Sequence, residues 1–237
     1  CLDLPEGNWQ SIHFHGRHAM ERQMERCELI HGIEEFSSSR GTSSHQQNPT
    51  ILLCEKECTE TSGFCVGAAL MYSGGFQTQI EKDQLKQVRV VMGINPETFS
   101  WKLNASERFN TPEVILSCSM EGTAKLSQQF HKIIRHNVCR GKYQLSQRPI
   151  LINNWEATYF DFDEKKILDI AKEASKIGID MFVLDDGWFG KRDSDNSGLG
   201  DWYVNENKIK GGLATLISKI NDLGMKFGIW FEPEMVS

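Results

Sequence analysis

In the last third of the chain, short apolar runs alternate with stretches whose apolar residues recur at helical spacing. Apolar runs of this length predict parallel strands, and the run that ends in Leu184 predicts a buried one. Three of them occur, at Ile150–Asn153, Asp180–Leu184 and Lys226–Phe231. A helix is predicted after Asp163, because an amphipathic pattern continues to Gly178, a typical helix stop. A second helix is predicted over Gly212–Leu223. The resulting β-α-β-α-β order is typical of a parallel sheet.

The first half of the chain has a different pattern, in which clusters of Gly, Pro, Asn and Ser separate short apolar or alternating runs. Strands are predicted at Thr50–Cys54, Cys65–Tyr72, Gln87–Met92 and Val114–Cys118. Their spacing indicates an antiparallel β-sandwich over residues 1–121. From Gly122 the apolar residues follow helical spacing, so residues 122–147 are predicted to be a linker helix region. Residues 148–237 then form the second domain.

The residues that follow the three C-terminal strands favour a barrel over an open sheet. A nucleotide-binding open sheet would carry a G-x-G-x-x-G turn after its first strand, but this chain has Asn153 to Thr158 there. Each strand instead ends in polar or aromatic side chains, which is typical of a (β/α)8 barrel. A complete barrel takes roughly 250 residues, and only about 90 follow Pro149. The prediction is therefore the first three β/α units of a TIM barrel, truncated after strand 3.

Composition excludes several kinds of partner. The net charge of -6 argues against nucleic acid, because a phosphate backbone is bound by clustered positive charge. No apolar run approaches the roughly 20 residues that span a bilayer, so no membrane partner is expected. The seven cysteines are odd in number and widely scattered, unlike those of a secreted disulfide scaffold. We therefore expect a cytoplasmic protein with reduced cysteines.

Asp185 and Asp186 are the leading candidates for a binding site, since they directly follow the second predicted strand. Ligands bind at this end of the strands in parallel α/β folds. Carboxylates accept hydrogen bonds from hydroxyl groups, and the neighbouring Trp188 suits apolar C–H faces, so the expected ligand is a sugar. The alternative role is capping of the following turn. Because successive side chains point to opposite faces, the two residues are better suited to binding neighbouring hydroxyls than to forming a catalytic dyad.

Trp155 and Trp230 also lie at predicted strand ends, where they are candidates for stacking on the sugar; packing in the core is the alternative. Glu232 and Glu234 follow the third strand. Either could act as a general acid or base, or could fix the loop by accepting hydrogen bonds from backbone N–H groups.

Two motifs suggest metals, and neither is complete. Asp193–Gly198 resembles half of an EF-hand loop, but position twelve is Val204 and not the bidentate Glu that calcium needs. A loop at the rim of the site is the better interpretation. His13 and His15 would share one face of a strand, as in some zinc sites, but no third ligand follows at a convincing spacing. The segment from His13 to His18 is interpreted as a strand–loop junction, and no metal is expected.

Longer motifs resemble the bacterial α-galactosidases of glycoside hydrolase family 36. In the second half they are Arg148–Phe162, Phe182–Gly190, Leu199–Trp202 and Gly224–Ser237. In the first half they are His31–Gly32, Ser39–His45, Asn48–Pro49, Tyr72–Phe76 and Gly93–Pro96. The resemblance covers essentially the whole chain.

This resemblance implies a sandwich of the supersandwich type, followed by a catalytic (β/α)8 barrel. The implied activity is hydrolysis, with retention of configuration and no cofactor, of terminal α-1,6-linked galactose from melibiose- and raffinose-type oligosaccharides. Trp155, Asp185, Asp186 and Trp230 match family positions that line the galactose pocket. The loop Ser39–His45 resembles, more loosely, a loop near the site entrance and subunit contacts. The family also implies a homotetramer.

The family's catalytic residues have no match in this chain. Its nucleophile is an Asp in a Lys-x-Asp motif after the fourth barrel strand, and its acid/base Asp lies further along, so both are expected beyond Ser237. The chain is therefore expected to be an internal fragment that is inactive alone. Two alternatives stay open: a non-catalytic carbohydrate-binding protein on the same scaffold, or a related α-N-acetylgalactosaminidase or transgalactosylase.

Overall fold

The chain forms two compact units, Cys1–Gln144 and Leu145–Ser237. The computed structural model describes residues 1–43, 45–233 and 235–237. Within those residues, no helix combines the length and the apolar character needed to cross a membrane.

The first unit is built from two antiparallel sheets, as the sequence predicts. Its strands are β1 (Leu2–Leu4), β2 (Trp9–Arg17), β3 (Met20–Glu28), β4 (Gly32–Ser38), β5 (Gln47–Glu55), β6 (Cys65–Leu70), β7 (Phe76–Lys82), β8 (Val88–Ile94) and β9 (Val114–Ser119). One sheet has the order β1-β8-β7-β4, and the other has the order β3-β2-β5-β6-β9. The four strands predicted from apolar runs correspond to β5, β6, β8 and β9. The segment interpreted as a strand–loop junction contains the end of β2 and the turn at His18 that leads to β3.

The core of the first unit lies between the two sheets. Its buried apolar side chains come from strands of both sheets and from Leu29, which directly follows β3: Leu4, Trp9, Leu29, Phe36, Ile51, Leu53, Val66, Ala68, Ile80, Val88 and Val90. Burial of one such large side chain contributes roughly 1.5–3 kcal/mol. In β7 the buried residues Phe76, Thr78 and Ile80 alternate with more exposed Gln and Glu, which is the period-two pattern of a strand with one buried face.

The opposite face of the five-stranded sheet is covered by α1 (Gly122–Ile133), which continues into a π-helical turn at Ile134–Val138. Leu126 of this helix is fully buried in a small cluster with Ile12, Cys54, Cys58 and Cys65. A side chain at Gly67 of β6 would place its Cβ 2.5 Å from the Phe130 ring, so this close approach requires glycine. The helix thus belongs to the first unit, while the predicted linker over 122–147 stays a prediction.

The second unit contains a three-stranded parallel sheet with the order β10-β11-β12. Its elements are β10 (Leu151–Asn153), α2 (Trp155–Thr158), α3 (Glu164–Lys176), β11 (Met181–Leu184), α4 (Gly212–Asn221) and β12 (Lys226–Ile229). Asp163 caps α3, because its side chain accepts a hydrogen bond from the backbone N–H of Lys166 at 2.8 Å. The fully buried Ile167, Phe182 and Leu216 join both long helices to the sheet. The predicted β/α units are confirmed, with small differences at their ends.

Candidate functional site

The carboxyl ends of the three parallel strands lie at one edge of the sheet in the second unit. β10 is followed by Trp155, β11 by Asp185 and Asp186, and β12 by Trp230. The strands pair in register, with Asn153 beside Val183 and Leu184 beside Ile229. The structure therefore brings to one edge all four residues predicted from the sequence to bind the sugar. Their contact with a sugar stays a prediction.

Hydrogen bonds connect the three strand ends directly. The Asn153 side-chain amide donates to Asp185 Oδ2. The backbone N–H of Asp185 donates to Oδ1 of the fully buried Asn154 at 2.8 Å. The backbone N–H of Trp230 donates to the carbonyl of Leu184 at 2.9 Å. Each strand end is thus fixed to its neighbour, which gives the site a rigid base.

Asp185 and Asp186 lie in different environments, although they are adjacent in sequence. Asp185 is half-buried, whereas Asp186 is only 6% exposed. Asp185 Oδ1 accepts the backbone N–H of Asp186 at 2.7 Å, and Asp186 Oδ1 accepts that of Gly187 at 2.6 Å. Both carboxylates therefore cap the turn after β11, the alternative role considered from the sequence. Each oxygen has two lone pairs, so this role does not prevent binding of a hydroxyl.

The Asp186 carboxylate forms a buried ion pair with Arg192, a residue that the sequence analysis did not select. Arg192 Nε lies 3.0 Å and 3.2 Å from the two carboxylate oxygens, and Nη2 lies 2.8 Å from Oδ2. The two side chains are 8% and 5% exposed, respectively. The hydrogen bond from Arg192 to Asp186 raises the pKa of the guanidinium, against the opposing effect of burial. No sequence pattern predicts the pairing of Asp186 with Arg192.

The loop that resembled half of an EF-hand is organised by the same arginine. Arg192 Nη1 donates to the backbone carbonyls of Ser194 at 2.8 Å, Asp195 at 2.7 Å and Ser197 at 3.0 Å. A calcium loop would direct its oxygens at an ion, but here three carbonyl groups are directed at a guanidinium. This supports the interpretation of the segment as a structured loop after a barrel strand.

Aromatic side chains surround the strand ends. Trp155 is half-buried and packs edge-on against Tyr159 and Phe160, with ring centroids 5.3 Å and 5.0 Å away. Trp230 is also half-buried, and its ring lies 6.4 Å from that of Phe189 in a stacked arrangement. Trp188 is only 2% exposed and donates its indole N–H to the Trp230 carbonyl at 3.0 Å. Trp188 is therefore a core residue, while Trp155 and Trp230 keep exposed surface.

The other sequence hypotheses have different outcomes. Glu232 is half-buried, and its charge contributes to raising the pKa of Arg192, but no contact with another described residue assigns it to catalysis. Glu234 lies outside the described residues. His13 and His15 contact the same carboxylate, that of Glu25, at 3.1 Å and 3.5 Å. Across residues 1–43, 45–233 and 235–237, no group of three or more His, Cys, Asp or Glu side chains has an arrangement that could hold a metal ion.

Two known family models match consecutive parts of this chain. Residues 1–104 match the glycosyl hydrolase family 36 N-terminal domain, and residues 108–237 match the melibiase family. The second match alone covers more than half of the chain. The chain therefore belongs to the melibiase family, within glycoside hydrolase family 36.

Individual relatives are similar over the whole chain. The bifunctional α-galactosidase/sucrose kinase AgaSK of Mediterraneibacter gnavus is 56% identical over 237 residues, which is 100% of this chain and 25% of that protein. The α-galactosidase Mel36A of Lactobacillus acidophilus is 48% identical, and the match covers 100% of this chain and 32% of that protein. The chain thus spans between a quarter and a third of the length of these curated relatives.

The crystal structure of the α-galactosidase AgaA from Geobacillus stearothermophilus is similar in fold. It is 49% identical, with a TM-score of 0.94, and the match covers 100% of this chain and 33% of that one. Variants of AgaA have been crystallised with stachyose, raffinose and 1-deoxygalactonojirimycin. The likeness supports the sandwich and the partial TIM barrel as the fold of this chain.

Proposed function

We propose that this chain forms part of the galactose pocket of a retaining α-galactosidase. The substrates would be oligosaccharides with terminal α-1,6-linked galactose, of the melibiose and raffinose type. The observation that carries the proposal is the convergence of two carboxylates and two half-exposed indoles at one strand edge, in a member of the melibiase family. The complexes of AgaA variants with raffinose and stachyose support this substrate class.

Within this proposal the four residues have separate tasks. Asp185 and Asp186 accept hydrogen bonds from galactose hydroxyls, and charged acceptors make such bonds strong. Trp155 and Trp230 form apolar walls for the C–H faces of the ring. Asp185 is the more open carboxylate, so it would make the more direct contact.

The chemistry would be a double displacement. One carboxylate attacks the anomeric carbon, while a carboxylic acid protonates the leaving oxygen and later activates water. We assign these two carboxylates to residues outside this chain. The chain alone would then bind without cleaving, because positioning without a nucleophile and an acid leaves the reaction path incomplete.

An exchange enzyme tests the proposal. In it, this chain replaces the matching third of AgaA, whose fold it shares at a TM-score of 0.94. We expect this enzyme to release p-nitrophenol from p-nitrophenyl α-galactoside, whereas the chain alone should release none above a blank. A folded exchange enzyme without activity would contradict the proposal.

A substitution within the site tests the role of a single pocket residue. Asp185→Asn in the exchange enzyme removes a charge and preserves shape. We expect kcat/KM to fall about 10- to 100-fold, as loss of a charged hydrogen bond worth roughly 1.5–3 kcal/mol implies. An unchanged kcat/KM would remove Asp185 from the pocket.

The alternatives predict other results from the same material. A carbohydrate-binding protein would show galactose affinity in calorimetric titration of the chain, together with an inactive exchange enzyme. An α-N-acetylgalactosaminidase would prefer the p-nitrophenyl α-N-acetylgalactosaminide. A transgalactosylase would form longer oligosaccharides from raffinose, which chromatography detects.

Cytoplasmic localisation and a homotetramer are further proposals. The first is supported by the odd number and scatter of the cysteines, and the second by the family resemblance alone. Light scattering of the full protein measures the assembly, and fractionation of the source cells measures the compartment.

A further inference from the structure

Arg192 is a buried cation that directs its donors at one carboxylate of the proposed galactose pocket and at the loop that follows it. The residue is 4% exposed. Nε and Nη2 are directed at the Asp186 carboxylate, and Nη1 is directed at three carbonyls of the segment 194–197. A planar guanidinium holds its donors in a fixed fork. The carboxylate and the loop are therefore locked in one mutual orientation.

The same guanidinium lies beside the support of the first pocket wall. Its central carbon is 5.5 Å from the centroid of the Phe160 ring, and Phe160 packs edge-on against Trp155 at 5.0 Å. The face of an aromatic ring attracts a cation at this distance. One side chain thus contacts Asp186 itself and the ring that supports Trp155.

The contacts of Asp186 do not use all of its acceptor positions. Its two oxygens offer about four lone-pair sites. Gly187 N–H and Arg192 Nε use the sites on Oδ1, while Nη2 uses one on Oδ2, and the longer Nε contact to Oδ2 is shared. Among the described residues, one acceptor position on Oδ2 is therefore not used by a donor, and Arg192 sets its orientation.

We propose that Arg192 is a positioning residue for galactose binding, which fixes the Asp186 carboxylate and the segment 194–197 before the sugar arrives. The inference rests on the proposed function. A carboxylate held in one orientation binds without a further loss of rotational freedom. Arg192 thus acts through Asp186 and does not touch the sugar.

The exchange enzyme provides the kinetic test. Arg192→Met keeps an unbranched side chain of moderate length and removes every donor. We expect KM to rise about tenfold or more, because misplaced binding groups are costly, while kcat changes less. Arg192→Lys should recover part of the loss, since an ammonium can pair with Asp186 but cannot also bridge to the loop carbonyls. A purely structural role would lower the amount of active enzyme and thus the apparent kcat, with KM unchanged, and that result would overturn the inference.

The Arg89–Asp3 pair supplies the matched control, because its N···O distance is also 2.8 Å and it lies at the exposed surface of the first unit. Arg89→Met should leave KM unchanged. Equal KM shifts in the two Met variants would overturn the inference.

A measurement independent of activity separates this inference from the proposed function. Hydrogen exchange at the amides of 193–198 should be faster in the Arg192→Met chain than in the unaltered chain, and partly slowed again by Lys. If the hydrogen-exchange rates of these amides are the same in the Arg192→Met chain and the unaltered chain, the positioning role is overturned, even if the exchange enzyme is active. An inactive exchange enzyme whose Arg192 variants still show this pattern contradicts the proposed function and leaves Arg192 as the residue that orders the loop.

Discussion

Two arginine–aspartate pairs with the same closest N···O distance of 2.8 Å lie in opposite environments. The Asp186–Arg192 pair is buried at the strand ends of the second unit, with both side chains less than one-tenth exposed. The Asp3–Arg89 pair joins β1 to β8 at the surface of the first unit, with 63% and 60% of the side chains exposed. The N···O distance alone therefore says little about how much an ion pair contributes to stability, because that contribution depends on how far the pair is buried.

The difference follows from solvation. A buried pair has lost its hydration, so each charge depends on its partner, and removal of one leaves the other uncompensated. In the exposed pair water replaces a lost partner at little cost, and salt screens the attraction. The buried pair is also connected to three loop carbonyls, whereas Arg89 Nε bonds Asp3 on a neighbouring strand. A buried pair is thus suited to fixing a site.

The largest effect is expected for the buried pair. Arg192→Met should lower the free energy of unfolding by about 3–5 kcal/mol, the range for breaking a buried pair by removal of one partner. Urea unfolding of the chain, followed by tryptophan fluorescence, measures it, because Trp155, Trp188, Trp202 and Trp230 all lie in the second unit. A loss below about 1 kcal/mol would place this pair in the class of surface pairs.

Sequence reasoning located Asp186 but could not find Arg192. The apolar run that ends in Leu184 predicts both the strand and the place of the carboxylates after it, because consecutive apolar residues are a local signature. In the structure one face of this strand is buried, at Phe182 and Leu184, and the other is half-buried. The pairing with Arg192 depends on how the intervening turn folds back, and no periodicity records such a turn. Similarly, β7 was not predicted, since Gln and Thr interrupt its apolar pattern, and of β2 only the end from His13 onward was interpreted as part of a strand.

The contact between His13 and Glu25 is intermediate in burial between these two pairs, and we expect an intermediate effect on stability. His13 is 10% exposed in its side chain and lies 3.1 Å from Glu25, which is 55% exposed. Its ring stacks on Phe36 at 4.0 Å. Burial lowers the pKa of His13 below its ordinary value of 6.5, while Glu25 and Glu34 oppose that shift.

The sign of the pH effect follows from this lowered pKa. Between the folded pKa and 6.5 the unfolded chain binds more protons, so the free energy of unfolding rises with pH in that window. The stabilisation is fully present above pH 6.5 and is lost as the pH falls through the folded pKa. Urea unfolding at several pH values should show that the free energy of unfolding falls less with decreasing pH in the His13→Gln chain than in the unaltered chain. His15→Gln, next to the same carboxylate, is the control, and an equal flattening there would contradict burial as the cause.

The smallest effect is expected for the exposed pair. Arg89 holds the pKa of Asp3 below its ordinary value mainly through their hydrogen bond, yet both groups stay hydrated. Arg89→Met should therefore shift the urea midpoint by no more than the error of measurement, and added salt should remove whatever difference exists. If Arg89→Met instead destabilised the chain as much as Arg192→Met, desolvation would not distinguish the two pairs. The reason for assigning a positioning role to the buried arginine alone would then be lost.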